Sequence, residues 1–333
     1  MNQATDLKNK RILLFIPNGK GVYGTGVFNE LERRGAKVTI YDERPSSSPY
    51  AKAVIRLAKN HPAIYFSQYI KSIVRQNQGV DYDIVLVIRG EAFTPSVVSC
   101  LRNSYPNARF ILYLWDSLNN TDTRKVFPYF DNVFSFDPED VNSNPGLTYR
   151  STFYLDAYKE SSDRSECSID VSFIGTAHTD RYPFIRKIDR VFQSYDLNTF
   201  YYLYMPGKLA YYWNKIRNPA FKDLKPKDFK YKMLSLEETV DYMSDSRATL
   251  DIHHPLQNGL TMRTIEVLGV RRKLITTNKS VTSYDFYNED NILVVDRMNP
   301  QIDLEFIIAP YQDIDKTIYK KYSIQSWVDD IFV

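Results

Sequence analysis

The sequence predicts an α/β protein made of two Rossmann-like domains, and three observations lead to this prediction. With 333 residues the chain is long enough for two domains. Short apolar runs typical of buried strands alternate with segments of helical periodicity in each half of the chain. The residues from Asp156 to Glu166 are mostly polar and mark the best domain boundary. We therefore expect domains over residues 1–160 and 167–310, followed by a helical segment over residues 311–333.

The first half begins with a strand and a glycine-rich turn. Five strands are predicted there, over residues 11–16, 37–41, 83–88, 109–116 and 132–136. The turn covers residues 18–26, a helix is predicted over residues 27–34, and residues 50–76 are also predicted to be helical. Asp42 and Glu43 follow the second strand, about where an acid would bind a ribose. A nicotinamide-dinucleotide site stays open here, although we do not read the turn as a G-x-G-x-x-G motif followed at once by the helix.

Two acidic residues of the first half, Glu91 and Asp116, follow strand ends. The carboxyl ends of parallel strands lie along one edge of a sheet, so we expect both carboxylates at that edge. A carboxylate there could take the proton of a hydroxyl group as a general base. Two other interpretations stay open, because Asp116 could cap the following helix and Glu91 could pair with Arg89.

The second half repeats the alternation of strands and helices. Five strands are predicted, over residues 169–175, 198–204, 248–252, 271–277 and 291–295. Arg181 follows the first of them and Lys208 the second, so both are candidate cations for a phosphate, although Arg181 could instead be solvated in the first turn of its helix. Ser235 opens a helix with a capping-box sequence. Residues 323–332 form a capped helix with one apolar face.

The most informative stretch is residues 251–269, which reads as a loop and a helix between two strands of a βαβ unit. Its loop contains His253 and His254, and its helix places Arg263 and Glu266 three residues apart on one face. A cation and a carboxylate near a helix amino terminus suit a ligand with phosphate and ribose hydroxyl groups. Alternatively, Arg263 and Glu266 form a surface ion pair, and His254 is a loop residue without a ligand.

A basic and aromatic stretch covers residues 208–232, with eight basic and two acidic residues. Such a stretch could lie on an anionic membrane surface. It could equally be a solvated, lysine-rich segment that packs its aromatic side chains inward. Both interpretations stay open on the sequence alone.

Composition excludes several classes of protein. A net charge of +3 argues against a general nucleic-acid surface. No apolar run approaches the about 18 residues of a membrane span, the amino terminus lacks the apolar core of a signal peptide, and two cysteines form no disulfide framework. Neither Asp81 with Asp83 nor the histidine pair has the setting of a metal site. We therefore expect a cytoplasmic protein with no metal and no cofactor.

A resemblance to a known family narrows the function. The segment from Gly259 to Gly269, followed by Lys-Leu-Ile-Thr-Thr-Asn, resembles the donor-binding segment of GT-B glycosyltransferases. The similar branch is the CgeB-like and RfaS-like group of bacterial surface-polysaccharide and lipopolysaccharide biosynthesis. Arg89-Gly-Glu and Leu-Trp-Asp116-Ser in the first half are similar to segments of the same group.

The resemblance implies a GT-B fold, with two Rossmann-like domains facing across a cleft and a terminal helix that crosses back to the first domain. It implies that Glu266 holds the donor ribose and that the turn after residue 175 faces the donor diphosphate. The implied substrates are a nucleotide sugar and a glycan or lipid-linked acceptor, with possible peripheral contact at the inner membrane. Candidate catalytic residues are Asp116 and Glu91, and candidate donor-binding residues are Gly175, Thr176, Arg181, Lys208, His254, Gly259, Leu260, Thr261, Arg263 and Glu266.

Other functions remain open beside this expectation. His254 followed by Pro255 is similar to a pair in transferases that use CMP-activated sugars, such as sialyl and Kdo transferases. A non-catalytic GT-B-like protein that binds glycan precursors, and a nicotinamide enzyme that uses the glycine-rich turn, are the alternatives from other classes.

Overall fold

The computed structural model divides into two compact units. It describes residues 5–45, 62–161, 166–177, 181–217, 219–222, 224–254 and 258–333. The first unit comprises Met1–Thr152, Pro255–Gly259 and Ile324–Val333, and the second comprises Phe153–His254 and Leu260–Ser323. Residues 311–323, which we grouped with the terminal helix, thus lie in the second unit. The limits of each domain as an independent folding unit stay a prediction.

The first unit contains a sheet of six parallel strands in the order β2-β1-β3-β4-β5-β6. The strands are β1 (Arg11–Ile16), β2 (Lys37–Asp42), β3 (Ile84–Ile88), β4 (Arg109–Leu114), β5 (Asn132–Ser135) and β6 (Leu147–Tyr149). Its first four helices are α1 (Val22–Arg33), α2 (Pro62–Gln76), α3 (Pro95–Ser104) and α4 (Pro138–Ser143). Strand β3 is apolar throughout and β4 is apolar after its first residue, Arg109, and both are buried along almost their whole length, as a central parallel sheet requires.

The structure corrects the predicted start of the first helix. Helix α1 begins at Val22, five residues before the predicted start, so Gly24 lies inside the helix. A Cβ atom at Gly24 would come within 1.6 Å of the carbonyl oxygen of Gly19. Gly19, Gly21 and Gly24 therefore do form a G-x-G-x-x-G spacing that enters the helix directly, contrary to our interpretation of the turn. Of the residues 50–76 predicted to be helical, 50–61 lie outside the described residues.

The second unit contains a sheet of five parallel strands in the order β11-β10-β9-β7-β8. The strands are β7 (Ile169–Thr176), β8 (Thr199–Tyr204), β9 (Ser246–Asp251), β10 (Lys273–Thr276) and β11 (Ile292–Val294). Its helices are α5 (Asp156–Glu160), α6 (Arg181–Ser194), α7 (Lys208–Arg217), α8 (Leu236–Ser244), α9 (Met262–Gly269), α10 (Leu304–Ile308) and α11 (Lys316–Lys321). The predicted capping box at Ser235 is confirmed at the start of α8.

The last helix, α12 (Ile324–Ile331), belongs to the first unit, as the resemblance implied. The fully buried ring of Trp327 packs edge-on against Tyr113 of β4, with ring centroids 5.0 Å apart. The guanidinium of Arg34 bonds to the carboxylate of Asp329 and donates to the carbonyl oxygen of Gln325 at 2.7 Å. An aromatic contact and a nearly buried ion pair thus fix the end of the chain to this unit.

Both sheets share one functional consequence of their strand order. In each sheet the second strand along the chain lies on one side of the first strand, and the third lies on its other side. This arrangement creates a switch point beside the first strand. Ligands of such parallel sheets bind at the carboxyl ends of the strands flanking that point. These ends lie between β1 and β3 in the first unit and between β7 and β9 in the second.

Candidate functional site

Arg181 lies at the switch point of the second unit. Its Nη1 donates to the carbonyl oxygen of Thr176 at 3.1 Å, and its Nε donates to the carbonyl oxygen of Ile252 at 3.1 Å. The guanidinium therefore bridges the ends of β7 and β9. A Cβ atom at Gly175 would come 2.8 Å from the ring of Phe173 and 3.6 Å from Nη1 of Arg181, so glycine suits this crowded position. Three of the predicted donor-binding residues, Gly175, Thr176 and Arg181, are thus brought together.

A second arginine approaches the loop after β9 from the end of β11. Arg297 bonds to the carbonyl oxygen of His253 and donates to Oγ1 of Thr277 at 3.3 Å. Nδ1 of His253 lies 2.8 Å from the same threonine hydroxyl. Arg297 was not among the predicted residues. Its position just after a predicted strand, at the same sheet edge as Arg181, is the signal that could have identified it.

His254 and Lys208 follow the ends of two strands of the same sheet, β9 and β8, which are separated by β7. His254 is half-buried and follows His253 in the loop after β9. Lys208 is exposed and is the first residue of α7, four residues after the end of β8. Both residues therefore lie on segments that follow the carboxyl edge of the sheet, as their positions in the sequence predict.

The start of α9 is organised around a buried carboxylate that was not among the predicted residues. Oδ2 of Asp251 accepts hydrogen bonds from the hydroxyl groups of Thr261 at 3.0 Å and Thr264 at 2.9 Å. Thr261 is also the N-cap of the helix and accepts from the backbone N–H of Thr264 at 3.2 Å. Leu260 is buried, at 2% exposure. Thr261 and Leu260 therefore have structural roles in this unit, whatever ligand they contact.

Gly259 is the one predicted donor-binding residue that is assigned to the first unit. Its backbone N–H donates to Oδ2 of Asp137 at 3.2 Å, and a Cβ atom would come 2.5 Å from the ring of Phe136. Glycine is thus required by the close approach of this backbone to the end of β5. The sequence pattern places Gly259 in the loop of the βαβ unit and gives no indication of this contact.

Arg263 and Glu266 contact each other inside the second unit. Nη1 of Arg263 lies 2.7 Å from Oε2 of Glu266, and the same guanidinium contacts Met243 and interacts with Tyr158. The ion pair of the alternative interpretation is present, but it is mostly buried, with side-chain exposures of 19% and 6%. Burial raises the pKa of the Glu266 carboxyl to about 8, and the adjacent guanidinium opposes that shift.

In the first unit, a cluster of charged residues occupies the carboxyl ends of β2, β3 and β4. Its members are Glu43, Arg44, Arg89, Glu91 and Asp116. Glu43 is fully buried, bonds to the guanidinium of Arg89 and accepts from the backbone N–H of Gly90 at 3.0 Å. Glu91 bonds to Arg44 and lies 3.3 Å from Arg89, so its pairing with Arg89 is confirmed. Glu43 is therefore fully buried with partners of its own, and a ribose could reach its carboxylate only if this cluster opened.

The backbone at Arg89 and Gly90 is left-handed, with φ angles of +76° and +73°. A non-glycine residue rarely adopts this conformation, and it persists where the surroundings enforce it. Here the buried Glu43 bonds to both residues, which accounts for the unusual turn. The turn directs the guanidinium of Arg89 across the sheet edge toward Asp116, 3.9 Å from its Oδ2.

Asp116 remains accessible at the end of this cluster, with 36% of its side chain exposed. The next helical turn, Arg124–Tyr129, has Thr123 at its N-cap, so the alternative that Asp116 caps it is wrong. Burial raises the pKa of the Asp116 carboxyl above its ordinary value, Arg89 lowers it, and the charge of Glu91 adds to the rise. The preceding residue, Trp115, contacts Tyr23 of α1 edge-on, with ring centroids 5.6 Å apart.

Among the described residues, no group of three or more histidine, cysteine, aspartate or glutamate side chains is arranged to hold a metal ion. No helix in the described part of the chain is long and apolar enough to cross a membrane.

No family model matches the chain, and no curated protein matches it. Solved structures do. The chain is similar to an alpha-glucosyltransferase in complex with UDP and a 13-mer DNA, at 14% identity and a TM-score of 0.56 over 96% of this chain and 92% of that one. It is similar to the catalytic domain of starch synthase IV from Arabidopsis thaliana bound to ADP and acarbose, at 10% identity and a TM-score of 0.57 over 98% and 97% of the two chains.

A third similar structure is the UDP-GlcNAc 2-epimerase from Methanocaldococcus jannaschii, at 12% identity and a TM-score of 0.54 over 97% of this chain and 99% of that one. These likenesses span nearly the whole chain. They show that it has the GT-B fold, which confirms the predicted fold class. The fold is shared by glycosyltransferases and an epimerase, so the reaction must be argued from the residues.

Proposed function

We propose that the chain is a glycosyltransferase that moves a sugar from a nucleotide-activated donor to a hydroxyl group of a polysaccharide or lipopolysaccharide acceptor. The observation that carries the proposal is the pair of arginines at the carboxyl edge of the second sheet. Arg181 and Arg297 both bond to backbone carbonyl groups of the loop after β9, Arg181 from the segment after β7 and Arg297 from the segment after β11. Fixed guanidinium groups at a switch point suit the phosphates of a nucleotide.

On this proposal the second unit binds the donor. Arg181, Arg297, Lys208 and His254 stabilise the charge that develops on the leaving diphosphate, a role that needs no metal ion. Glu266 accepts hydrogen bonds from the donor ribose. Arg263 then acts through Glu266, because a cation 2.7 Å away favours the ionised carboxylate against the effect of burial.

The first unit activates the acceptor. Asp116 takes the proton from the acceptor hydroxyl, whose oxygen forms a bond to the anomeric carbon. The bond from that carbon to the diphosphate oxygen breaks, and the nucleotide leaves with the electron pair. A base is most effective when its pKa approaches the working pH, and burial shifts the pKa of Asp116 in that direction. The aromatic pair of Trp115 and Tyr23 offers flat apolar surfaces beside this carboxylate for a sugar ring.

The resemblance to the CgeB-like and RfaS-like group supports a lipopolysaccharide or other surface-polysaccharide acceptor, handled in the cytoplasm or at the inner membrane. His254 before Pro255 supports a CMP-activated sugar as the second candidate donor. A nucleoside-diphosphate sugar is favoured because two fixed arginines suit a diphosphate better than one phosphate.

A thermal-shift screen with UDP, ADP, GDP and CMP tests the proposal. A nucleotide at about one hundred times its dissociation constant stabilises the folded state by about 2.7 kcal/mol, which raises the melting temperature by several degrees. We expect the largest shift from one nucleoside diphosphate, and a smaller shift in Arg181→Ala. If CMP gives the largest shift, the donor is a CMP-activated sugar. If no nucleotide gives a shift, both candidate donors are wrong.

Product analysis with the matching nucleotide sugar then identifies the reaction. Transfer to an added glycan, or slow release of free sugar and nucleotide, supports the transferase. Conversion of the donor into its epimer would assign the chain to the other activity seen among proteins of this fold. Binding without any turnover would identify a non-catalytic protein that binds glycan precursors.

A further inference from the structure

An apolar stripe on α7 faces solvent. Leu209, Tyr212, Trp213 and Ile216 follow the spacing that places four residues on one face of a helix. Their exposures are 87%, 54%, 58% and 84%. A surface helix ordinarily turns such a stripe toward the core. We call these four residues the α7 stripe.

The other side of the same helix holds it to the second unit. Tyr211 is buried at 1% exposure, and its hydroxyl group donates to the carbonyl oxygen of Leu224 at 2.6 Å. The helix is therefore anchored through Tyr211, and the α7 stripe cannot rotate into the core without breaking that contact. Of the two interpretations of residues 208–232, inward packing is correct for Tyr211, Phe221 and Phe229. It is wrong for the stripe.

Many basic residues lie close to the α7 stripe in the chain. The exposed basic residues nearby in the chain are Lys208, Lys215, Arg217, Lys222, Lys225, Lys227, Lys230 and Lys232. The same stretch, residues 208–232, contains two acidic residues against eight basic ones, and the carboxylate of Asp228 accepts from the backbone N–H of Lys225 at 2.7 Å. The guanidinium of Arg217 lies over the ring of Trp213, 4.1 Å from its centroid. The guanidinium of Arg217 thus borders the apolar side chains directly, and we call the exposed basic residues of this stretch the basic border.

We infer that the α7 stripe and its basic border dock the protein on the surface of an anionic phospholipid bilayer. A ten-residue helix is about 15 Å long and can lie flat in the interface, with its apolar side chains below the headgroups. Lysine and arginine side chains can then reach the anionic headgroups. A second copy of the chain fits less well, because it would bring two like-charged surfaces together.

Sedimentation with lipid vesicles tests this inference, using equal parts of phosphatidylglycerol and phosphatidylcholine against phosphatidylcholine alone. We expect binding to the anionic vesicles, weakened by salt. Leu209→Gln with Ile216→Gln should weaken it roughly tenfold or more, since these side chains would no longer enter the interface. Lys222→Gln, Lys225→Gln and Lys227→Gln together should weaken it roughly a hundredfold.

Matched controls separate the stripe from general surface effects. Met298 and Ile308 are also exposed apolar residues of the second unit, and changing both to Gln should leave vesicle binding unchanged. The same holds for changing the exposed lysines Lys125, Lys316 and Lys320 to Gln. Tryptophan emission should shift to the blue on binding, and Trp213→Phe should remove that shift, because Trp327 is already fully buried and Trp115 lies in the first unit against Tyr23. Melting temperatures confirm that each variant folds.

Two outcomes overturn the inference. One is equal sedimentation of the wild type with both kinds of vesicle, or with neither. The other is a concentration-dependent dimer that Leu209→Gln with Ile216→Gln abolishes, which would assign the stripe to a second copy of the chain. The assay uses no donor and no acceptor, so its result is independent of the proposed transferase activity.

Discussion

The guanidinium of Arg263 lies 2.7 Å from Oε2 of Glu266, one turn along a buried helix. Burial raises the pKa of the Glu266 carboxyl to about 8, and the neighbouring cation opposes that rise. The protonation of Glu266 therefore depends both on its partner and on pH. A residue that must accept hydrogen bonds from ribose hydroxyl groups should show this dependence in nucleotide binding.

The first prediction concerns the pH dependence of nucleoside affinity. The carboxyl is protonated below its raised pKa and ionised above it, so affinity should rise as the pH rises through that pKa. Charge-assisted hydrogen bonds contribute about 1.5–3 kcal/mol, which is roughly tenfold to a hundredfold in affinity. Calorimetry with the nucleoside of the preferred nucleotide should show this rise for the wild type and a flat profile for Glu266→Gln. Parallel profiles for the two proteins would contradict the assignment of Glu266 to the ribose.

The second prediction separates the two arginines. Arg181→Met should weaken the binding of the nucleoside diphosphate by about 1.5–3 kcal/mol more than that of the bare nucleoside, because the guanidinium contacts phosphate. Arg263→Met should weaken the binding of both ligands equally, because Arg263 acts through Glu266. Arg186→Met, an exposed residue on the same helix as Arg181, is the control and should change neither affinity. If Arg263→Met instead weakens the binding of the diphosphate more than that of the nucleoside, Arg263 contacts the phosphate directly, as expected from the sequence.

The sequence predicts the sheets well because parallel strands buried on both faces are continuous apolar runs. The predicted bounds of β1 match the structure, and those of β3 differ by one residue. The three-residue strand β6 was missed, since its residues are partly exposed and too few to give a pattern. The early start of α1 was missed because glycines lower helix propensity, and the contact of Gly24 with Gly19 appears only after folding.

Residue types at strand ends predicted which side chains reach the sheet edge, but their partners depend on tertiary contacts. Glu43 and Arg89 are 46 residues apart in the chain, and no local pattern indicates their ion pair. Arg297 likewise meets His253 across 44 residues. The buried pairing of Arg263 with Glu266 could be predicted from their spacing. The depth of its burial could not, because Met243 and Tyr158 come from other helices.

The third prediction tests the packing of the glycine-rich turn. Gly24→Ala should destabilise the protein by about 1–3 kcal/mol, since the added methyl group must displace the carbonyl of Gly19. Gly207→Ala is the control, because a Cβ atom there would meet nothing within 4 Å. Chemical denaturation of both variants measures the difference. Equal stability of Gly24→Ala and the wild type would mean that the turn can move away from α1.

The fourth prediction concerns the acid side of the pH–rate profile. A general base works when ionised, so turnover should fall as the pH drops through the pKa of Asp116, which lies above the ordinary aspartate value. The charge of Glu91 raises this pKa and that of Arg44 lowers it. Glu91→Gln should therefore move the fall in turnover to lower pH, and Arg44→Gln should move it to higher pH. Shifts in the same direction for both variants would mean that another group controls the profile.

The last prediction tests Asp116 as the base. Asp116→Asn preserves the shape of the side chain but cannot accept the acceptor proton, so turnover should fall by roughly 10²–10⁴-fold. Donor affinity in calorimetry should stay near the wild-type value, because the donor-binding residues that we assign lie in the second unit. Glu91→Gln is the matched control, since its carboxylate is already bonded to Arg44 and lies near Arg89. That variant should retain turnover near the optimum pH. If Asp116→Asn turns over like the wild type while Glu91→Gln is inactive, the base is Glu91, and its ion pairs must open when the acceptor binds.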